Sequence, residues 1–265
     1  MHTISLIIST YNRPDTLDLV LKSVLKQSVM PKEVIIADDG SGNETKVLID
    51  SYKDRFTIPL IHSWIEDKGF RLAKSRNEGI KKASGDFVIF IDGDIILHRG
   101  FIKGYYTHIQ LGSYMMGSRV LLPEEYTKEL LDKKECKVNI WHKGIKNRFN
   151  GLSFPGLYKL VKGSQSPTRS VKGANMGFWK KDLLHVNGFD ERFTGWGRED
   201  SDMAARMMHA GVRRINFKCI SICYHLYHPE AERSSLLEND NILNEVIISE
   251  AVRAQKGLCN DKEEN

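Results

Sequence analysis

The amino-acid sequence predicts an α/β protein with a mostly parallel β-sheet and flanking helices. Short unbroken apolar runs, which are typical of strands buried on both faces, alternate with segments of helical character in the first part of the chain. This alternation indicates strand–helix units joined by right-handed crossovers. Polar residues that can bind ligands directly follow these strands, at the edge where open α/β sheets hold their ligands.

The chain begins with a strand, a polar loop and a helix. Ile4 to Ser9 is the first predicted strand, and Thr10 to Pro14 form the loop at its carboxyl end. Asn12, three residues before Asp15, resembles a helix cap. Apolar residues then recur at a spacing of three and four, which indicates a helix with one buried face: Leu17, Val20, Leu21, Val24 and Leu25.

A second buried strand, Val34 to Ala37, is followed at once by Asp38 and Asp39. The elements expected next are a helix from Thr45 to Tyr52, a strand from Ile58 to Trp64 and a helix from Gly69 to Ala83. Lys74 and Arg76 on the last helix have the charge to hold a phosphate, and they could equally be solvated helix residues.

The most informative stretch is the apolar run Val88 to Ile91, which predicts a central strand. It ends in Asp92, Gly93 and Asp94. Two carboxylates this close repel each other unless they share a cation, and oxygen ligands suit magnesium or manganese. Asp-Gly is also a common turn dipeptide, so a turn and a metal site both remain open from this stretch alone.

Basic residues dominate the middle of the chain, after a predicted helix from His98 to His108 and a predicted strand from Tyr114 to Leu121. The net charge is +5, and the segment from Cys136 to Lys181 contains no Asp or Glu. Such a segment could hold an anionic substrate, rest on an anionic membrane surface or be a solvated loop. No nucleic-acid-binding signature accompanies it, so nucleic acid is not an expected partner. Its basic residues are Lys137, Lys143, Lys146, Arg148, Lys159, Lys162, Arg169, Lys172, Lys180 and Lys181.

A third group of carboxylates opens a helix in the last third of the chain. Glu199, Asp200 and Asp202 precede an alanine- and methionine-rich stretch that ends near Gly211. Acids in a first turn complement the helix dipole, which is a purely structural explanation. The flexible, aromatic-bearing loop just before them favours a second explanation, in which one carboxylate acts as a general base. The other elements expected here are a short helix near Lys180 to Val186, a strand from Arg214 to Tyr224 and a helix from Asn239 to Lys256.

Cys219, Cys223, His225 and His228 suggest a zinc site, which the predicted strand argues against. Residues four apart in an extended strand are about 13 Å apart, too far for two sulfurs to share one tetrahedral ion. Either histidine could still bind a metal together with Asp94.

Several function classes are disfavoured by what the sequence lacks. The first strand–turn–helix has no G-x-G-x-x-G pattern and the chain has no G-x-x-x-x-G-K-[ST] loop, which argues against a nicotinamide enzyme or a P-loop ATPase. Apolar runs are too short for a transmembrane span, and the amino terminus is expected to be a strand and not a signal peptide. Four cysteines do not make a disulfide framework in a chain of 265 residues, so a reducing cytoplasm is expected.

Taken in order, the motifs resemble those of a family 2 glycosyltransferase of the GT-A fold, over about residues 3 to 230. The amino-terminal motifs are Ser9 to Pro14, Asp38 to Ser41, Arg76-Asn77 and Asp92 to Asp94. The carboxyl-terminal motifs, which are similar to β-1,4-galactosyltransferases and bacterial chondroitin polymerase, are Gly173 to Met176, Gly188 to Asp190, Gly195 to Asp200 and Tyr224-His225. The resemblance implies a Rossmann-like, mostly parallel sheet with a smaller acceptor-binding half.

The resemblance also implies a role for each matching residue. Donor nucleotide-binding residues would be Thr10, Tyr11, Arg13, Asp38, Asp39, Arg76, Asp92 and Gly93. Asp94 and His225 would bind Mn²⁺ or Mg²⁺, Trp196 and Glu199 would face the acceptor, and Asp200 would be the catalytic base. Arg198 stands where related enzymes often carry glycine, so the acceptor side could differ.

The implied activity is an inverting, metal-dependent transfer of a hexose or N-acetylhexosamine from a UDP-sugar to a saccharide or glycolipid acceptor, in bacterial surface polysaccharide or lipo-oligosaccharide synthesis. Two alternatives are a sugar-1-phosphate nucleotidyltransferase and a non-catalytic module that binds anionic glycan. The expected division is a nucleotide-sugar half (1–121), an acceptor-binding and catalytic half (122–235), and a helix with a polar tail (236–265). The expected location is cytoplasmic, with peripheral contact on the inner face of the membrane.

Overall fold

The computed structural model describes residues 2–153, 171, 173–229 and 232–259. Part of the basic segment therefore lies outside the described residues, including Lys159, Lys162, Arg169 and Lys172. The end of the predicted polar tail, residues 260–265, also lies outside them. Within the described part of the chain, no helix is long and apolar enough to cross a membrane.

The first part of the chain forms strand–helix units, as the sequence predicts. Its elements are β1 (Ile4–Thr10), α1 (Pro14–Leu25), β2 (Glu33–Asp38), α2 (Asn43–Tyr52), β3 (Leu60–Trp64), α3 (Leu72–Lys82) and β4 (Phe87–Asp92). Every residue of β1 and β2 is buried, which explains their unbroken apolar runs. The expected cap at Asn12 is wrong, because Asn12 instead accepts a hydrogen bond from the Gly42 N–H at 2.9 Å and α1 begins at Pro14.

The rest of the chain adds short strands and five α-helices among the described residues. These elements are β5 (Ile95–Leu97), α4 (Phe101–His108), β6 (Ser113–Gly117), β7 (Val120–Leu121), α5 (Glu124–Asp132), β8 (Asn175–Trp179), α6 (Lys180–His185), α7 (Glu199–His209), β9 (Arg213–Phe217), β10 (Cys223–His225) and α8 (Leu236–Ser249). Neither β5 nor α5 was predicted from the sequence, and the last helix begins and ends earlier than the predicted range from Asn239 to Lys256.

A seven-stranded sheet organises the molecule, in the order β3-β2-β1-β4-β8-β6-β9. Strand β8 is antiparallel to both of its neighbours, and the other pairs are parallel, so the predicted mostly parallel sheet is confirmed. Apolar side chains from its two faces form separate buried clusters, each covered by helices. This layered packing fixes the ends of the central strands.

A second, three-stranded sheet has the order β5-β10-β7. Its existence corrects two predictions, because the single strands expected from Tyr114 to Leu121 and from Arg214 to Tyr224 are each two strands in different sheets. The second break contains a turn with Cys219 at φ +62°, a left-handed conformation that ends an extended strand. The second break still contains Ile220 and Ile222, so hydrophobic periodicity alone could not reveal it.

Candidate active site

The carboxyl ends of β1, β2 and β4 open into a cavity of about 580 Å³. In the parallel register, Thr10 lies beside Asp38 and Ser9 lies beside Asp92. The predicted site residues that line this cavity are Thr10, Tyr11, Arg13, Asp39, Arg76, Asp92, Gly93, Asp94, Trp196, Glu199 and Asp200. The sheet edge therefore gathers side chains from distant parts of the sequence, as predicted.

Two of the predicted site residues, Asp38 and His225, are not on the cavity wall. The Asp38 carboxylate is fully buried beneath it, where it accepts a hydrogen bond from the Ser41 N–H at 2.8 Å and lies 2.7 Å from His62 Nε2. Successive side chains of a strand point to opposite faces, so Asp38 and Asp39 cannot both face the cavity. Asp38 shapes the loop under the predicted nucleotide pocket and does not line the pocket itself. His225 does not line the cavity, although its Nε2 lies 3.6 Å from Oδ2 of the lining residue Asp94.

Thr10 and Asp39 carry the unsatisfied polar atoms of the expected nucleotide pocket. Thr10 Oγ1 and Asp39 Oδ1 are buried and have no hydrogen-bond partner among the described residues. The other oxygen of Asp39 accepts a hydrogen bond from the Arg71 N–H at 2.6 Å. Burial raises the pKa of Asp39 to about 6, against the opposing effect of the Arg71 hydrogen bond and charge. Buried polar atoms of this kind are normally satisfied, so this wall is prepared for a polar ligand.

Arg76 joins the two sides of the cavity. Its guanidinium is buried and lies 3.0 Å from Asp92 Oδ1 and 3.3 Å from Glu199 Oε1. Burial, and then the neighbouring Asp200 carboxylate, raise the pKa of Glu199, and the Arg76 charge opposes them. The guanidinium therefore compensates carboxylates from β4 and from α7 at once.

One cluster of side chains has the composition of a metal site: Asp94, His225 and His228. One ligand atom from each lies within 4.8 Å of the others. Asp94 Oδ2 is 3.3 Å from His228 Nε2 and 3.6 Å from His225 Nε2. Burial raises the pKa of Asp94, the Asp92 carboxylate raises it further, and the charges of His228 and Arg119 act against both.

Neither Cys219 nor Cys223 belongs to this cluster. Cys223 Sγ lies 3.5 Å from the Ser118 carbonyl oxygen, and Cys219 Sγ lies 3.7 Å from the Phe149 carbonyl oxygen. Cys219 lies in a turn between β9 and β10, so the predicted single strand, from which a shared zinc ion was disfavoured, is wrong.

The loop of residues 194–198 carries the predicted acceptor residue Trp196 toward the cavity. Gly195, Gly197 and Arg198 all have positive φ, of 68°, 104° and 80°. The left-handed conformation at Arg198 favours glycine, which accounts for the glycine expected there from the resemblance. Asp200, in the first turn of α7, accepts a hydrogen bond from the Ser201 N–H at 2.7 Å.

Helix α8 holds this loop in place. The Asn239 side-chain amide donates hydrogen bonds to the carbonyl oxygens of Thr194 at 3.0 Å and Gly197 at 2.9 Å. Arg198 Nε lies 2.5 Å from Asp240 Oδ1. Because α8 follows the loop by some forty positions in the sequence, no local pattern could reveal these contacts.

Several residues of the cavity wall were not singled out from the sequence, among them Phe70, Arg119 and Arg233. His228 was considered as a metal ligand beside His225, and it is the one that reaches the wall. Arg233 lies over the Trp196 ring, 5.0 Å from its centre. Arg119 belongs to a stretch that the sequence predicts as an uninterrupted strand, so nothing marked it as a cavity residue.

Comparisons with known proteins agree with this architecture. Residues 5–156 match the model of glycosyl transferase family 2, and residues 161–229 match the model described as the N-terminal domain of galactosyltransferase. Validoxylamine A glucosyltransferase of Streptomyces hygroscopicus subsp. limoneus is 28% identical over 223 residues, which cover 79% of this chain and 48% of that protein. Chondroitin synthase of Pasteurella multocida is 27% identical over 267 residues, which cover 94% of this chain and 27% of that protein. The chain thus spans about half or less of the length of these relatives.

Among solved structures, S. aureus TarS 1-349 in complex with UDP-GlcNAc superposes with a TM-score of 0.63 at 19% identity, covering 95% of this chain and 67% of that one. At this identity the likeness shows the fold, which is the predicted GT-A type with its mostly parallel sheet and flanking helices. The family is shown by the sequence match, which extends over more than half of the chain. The chain belongs to glycosyl transferase family 2.

Proposed function

We propose that the protein is an inverting, metal-dependent glycosyltransferase that moves a hexose or N-acetylhexosamine from a UDP-sugar to a hydroxyl of a saccharide or glycolipid acceptor. One observation carries this proposal: Asp200 and the metal-capable Asp94 line the same cavity. Family membership supports the reaction type, and the fold it shares with TarS, which was solved with UDP-GlcNAc, supports a UDP-sugar donor.

The residues around Asp94 fit a divalent metal. Asp94 Oδ1 is buried and has no hydrogen-bond partner in the described part of the chain, so it is available as a ligand atom. Asp94, His225 and His228 would hold the ion, and their mixed oxygen and nitrogen donors suit Mn²⁺ better than Mg²⁺. When bound, the metal would neutralise charge on the diphosphate.

The donor side of the cavity consists of the ends of β1, β2 and β4. Thr10 and Asp39 offer unsatisfied oxygens to the nucleotide base and ribose, and Tyr11, Arg13, Asp92 and Gly93 complete the wall. We assign no direct nucleotide contact to Asp38, because its carboxylate is buried beneath this wall.

The acceptor side consists of the 194–198 loop and the start of α7. Trp196 is 40% exposed and offers a ring on which an acceptor sugar can stack. The acceptor hydroxyl gives its proton to the Asp200 carboxylate while its oxygen forms a bond to the anomeric carbon of the donor sugar. The bond from that carbon to the diphosphate oxygen breaks, and the electron pair leaves with UDP. Attack from the face opposite the leaving group inverts the anomeric configuration.

The basic segment is a proposed contact for a glycolipid acceptor or an anionic membrane surface. In its described part, Trp141 is 69% and Phe149 is 82% exposed, and the Arg148 guanidinium lies 5.9 Å from the centre of the Trp141 ring. Exposed aromatic and cationic side chains together favour a membrane–water interface. We infer no nucleic-acid partner.

A UDP-release assay tests the proposed function. The protein is incubated with UDP-glucose, UDP-galactose and the two UDP-N-acetylhexosamines, with Mn²⁺, with Mg²⁺ or with EDTA, and with saccharide acceptors. We expect metal-dependent UDP release with one preferred donor and, by NMR, a product of inverted anomeric configuration. A nucleotidyltransferase would require a nucleoside triphosphate and release pyrophosphate, and a glycan-binding module would release nothing.

A further inference from the structure

Arg119 lies where the chain passes from the large sheet to the small one, between the end of β6 at Gly117 and the start of β7 at Val120. Asp94 occupies the corresponding junction between β4 and β5. In the small sheet, His225 pairs with Ile95 on one side and with Leu121 on the other. The two junctions therefore lie on either side of the strand that carries His225.

Among the arginines of the cavity wall, Arg119 has a distinct environment. Three of the other four each contact a carboxylate: Arg13 with Asp15, Arg76 with Asp92 and Glu199, and Arg198 with Asp240. The fourth, Arg233, lies over the Trp196 ring. The Nε of Arg119 is instead buried without a hydrogen-bond partner among the described residues, although its side chain lines the cavity. A buried guanidinium nitrogen with no partner is costly, which indicates that a ligand completes its bonding.

A cationic donor close enough to act on the charge of Asp94 favours an anionic ligand at the cluster of Asp94, His225 and His228. A guanidinium presents parallel N–H donors that match the oxygens of a phosphate, and it does so more specifically than an ammonium group. A diphosphate placed at this cluster would bring its oxygens to Arg119.

We propose that Arg119 binds the diphosphate of the nucleoside-diphosphate sugar and stabilises the negative charge on the leaving nucleotide. The inference rests on the proposed function, because it places the donor in this cavity. Arg119 transfers no proton: the bond between the anomeric carbon and the diphosphate oxygen breaks, and the electron pair stays on that oxygen, near the guanidinium. This contact is additional to those of Asp94 and the histidines.

Calorimetry with three probes tests the contact: UDP, UMP and uridine. We expect Arg119→Gln to weaken UDP binding on the order of 10- to 100-fold, to weaken UMP binding less and to leave uridine binding unchanged. Arg119→Lys keeps the charge but not the planar fork, so it should give an intermediate loss for UDP. Arg213→Gln is the matched control, because Arg213 is exposed, bonds Gln110 at 3.1 Å and does not line the cavity.

A measurement in EDTA separates this role from a purely structural one. If Arg119 only compensates the Asp94 charge, Arg119→Gln should bind Mn²⁺ more tightly than the parent and should bind UDP in EDTA with the parent affinity. That result would overturn the proposal. We expect the loss of UDP affinity to persist in EDTA. Should the parent protein bind none of the three probes, the proposed function fails together with this inference. If the parent protein binds UDP and Arg119→Gln binds it with the same affinity, only the inference about Arg119 is overturned.

Discussion

The proposed donor side of the cavity projects its side chains from the ends of hydrogen-bonded strands, whereas the proposed acceptor side depends on a loop held by a helix distant in sequence. Strands β1, β2 and β4 are buried and paired in register, so their last residues are fixed by the main chain. The 194–198 loop contains three residues with positive φ and is held by the side chains of Asn239 and Asp240. Such a difference fits the proposed reaction, in which a donor of fixed chemistry meets an acceptor held by a loop.

Arg76 is the exception, because it belongs to both sides. Its guanidinium contacts Asp92 at the end of β4 and Glu199 at the start of α7. Removal of a buried partner leaves uncompensated charges behind and typically costs about 3–5 kcal/mol. A substitution at Arg76 would therefore unfold the site as well as alter it, and it cannot distinguish the two sides. The informative substitutions are those that affect one side alone.

Asp200→Asn should give the largest effect and should affect the acceptor step alone. The amide cannot take the proton of the acceptor hydroxyl, so we expect kcat to fall about 10²- to 10⁴-fold. Binding of the UDP-sugar, measured by calorimetry, should stay within about twofold, because the donor wall is unchanged. Asp182→Asn is the control, since Asp182 also lies in a helix first turn but away from the cavity. Turnover by Asp200→Asn at the parent rate would remove Asp200 as the base.

Asp94→Ala should show the opposite pattern, with a loss of nucleotide binding itself. Without the carboxylate, the cluster keeps only its two imidazoles, and we expect the UDP affinity in Mn²⁺ to fall at least about 10- to 100-fold. Asp86→Ala is the matched control, because Asp86 precedes the opposite end of the same strand and bonds Thr3. If Asp94→Ala bound UDP and Mn²⁺ as the parent does, the metal site would have to lie elsewhere.

The same contrast explains how much the sequence could predict. The residues of the proposed donor side could be predicted because each buried strand is a local apolar run with a polar end. Strand β4, for example, ends at Asp92 and is followed directly by Gly93 and Asp94. Asp38, which the resemblance groups with the nucleotide-binding residues, does not line the cavity, since the sequence gives two adjacent acids but not which of them faces it. Arg119 and Asn239 could not be found, because their positions depend on a crossing between sheets and on a helix contact made far along the chain.

Asn239→Ala tests whether the α8 contacts position the acceptor side. It removes two hydrogen bonds, to Thr194 and Gly197, each worth about 1 kcal/mol. We expect kcat to fall about 10-fold through the displaced loop, with the UDP-sugar affinity unchanged. Asn241→Ala, at an exposed position of the same helix, should leave both quantities at parent values. An equal loss in donor affinity would show that the loop serves both substrates.

The smallest expected effect is a pH dependence of stability on the donor side. Burial raises the pKa of Asp39 to about 6, above its ordinary value of 3.8, so the folded protein takes up this proton more readily than the unfolded chain. The contribution of Asp39 protonation to the free energy of unfolding is therefore complete below about pH 4 and is lost as the pH rises through 6.

Asp39→Asn removes the titrating group but keeps an oxygen that can accept the Arg71 N–H. Thermal unfolding without nucleotide should show the variant more stable than the parent at pH 7.5, by about 1 kcal/mol or 2–4 °C, with the difference decreasing toward pH 4.5. A constant difference between these pH values would mean that Asp39 does not titrate in this range, and that the donor wall holds an ionised carboxylate throughout.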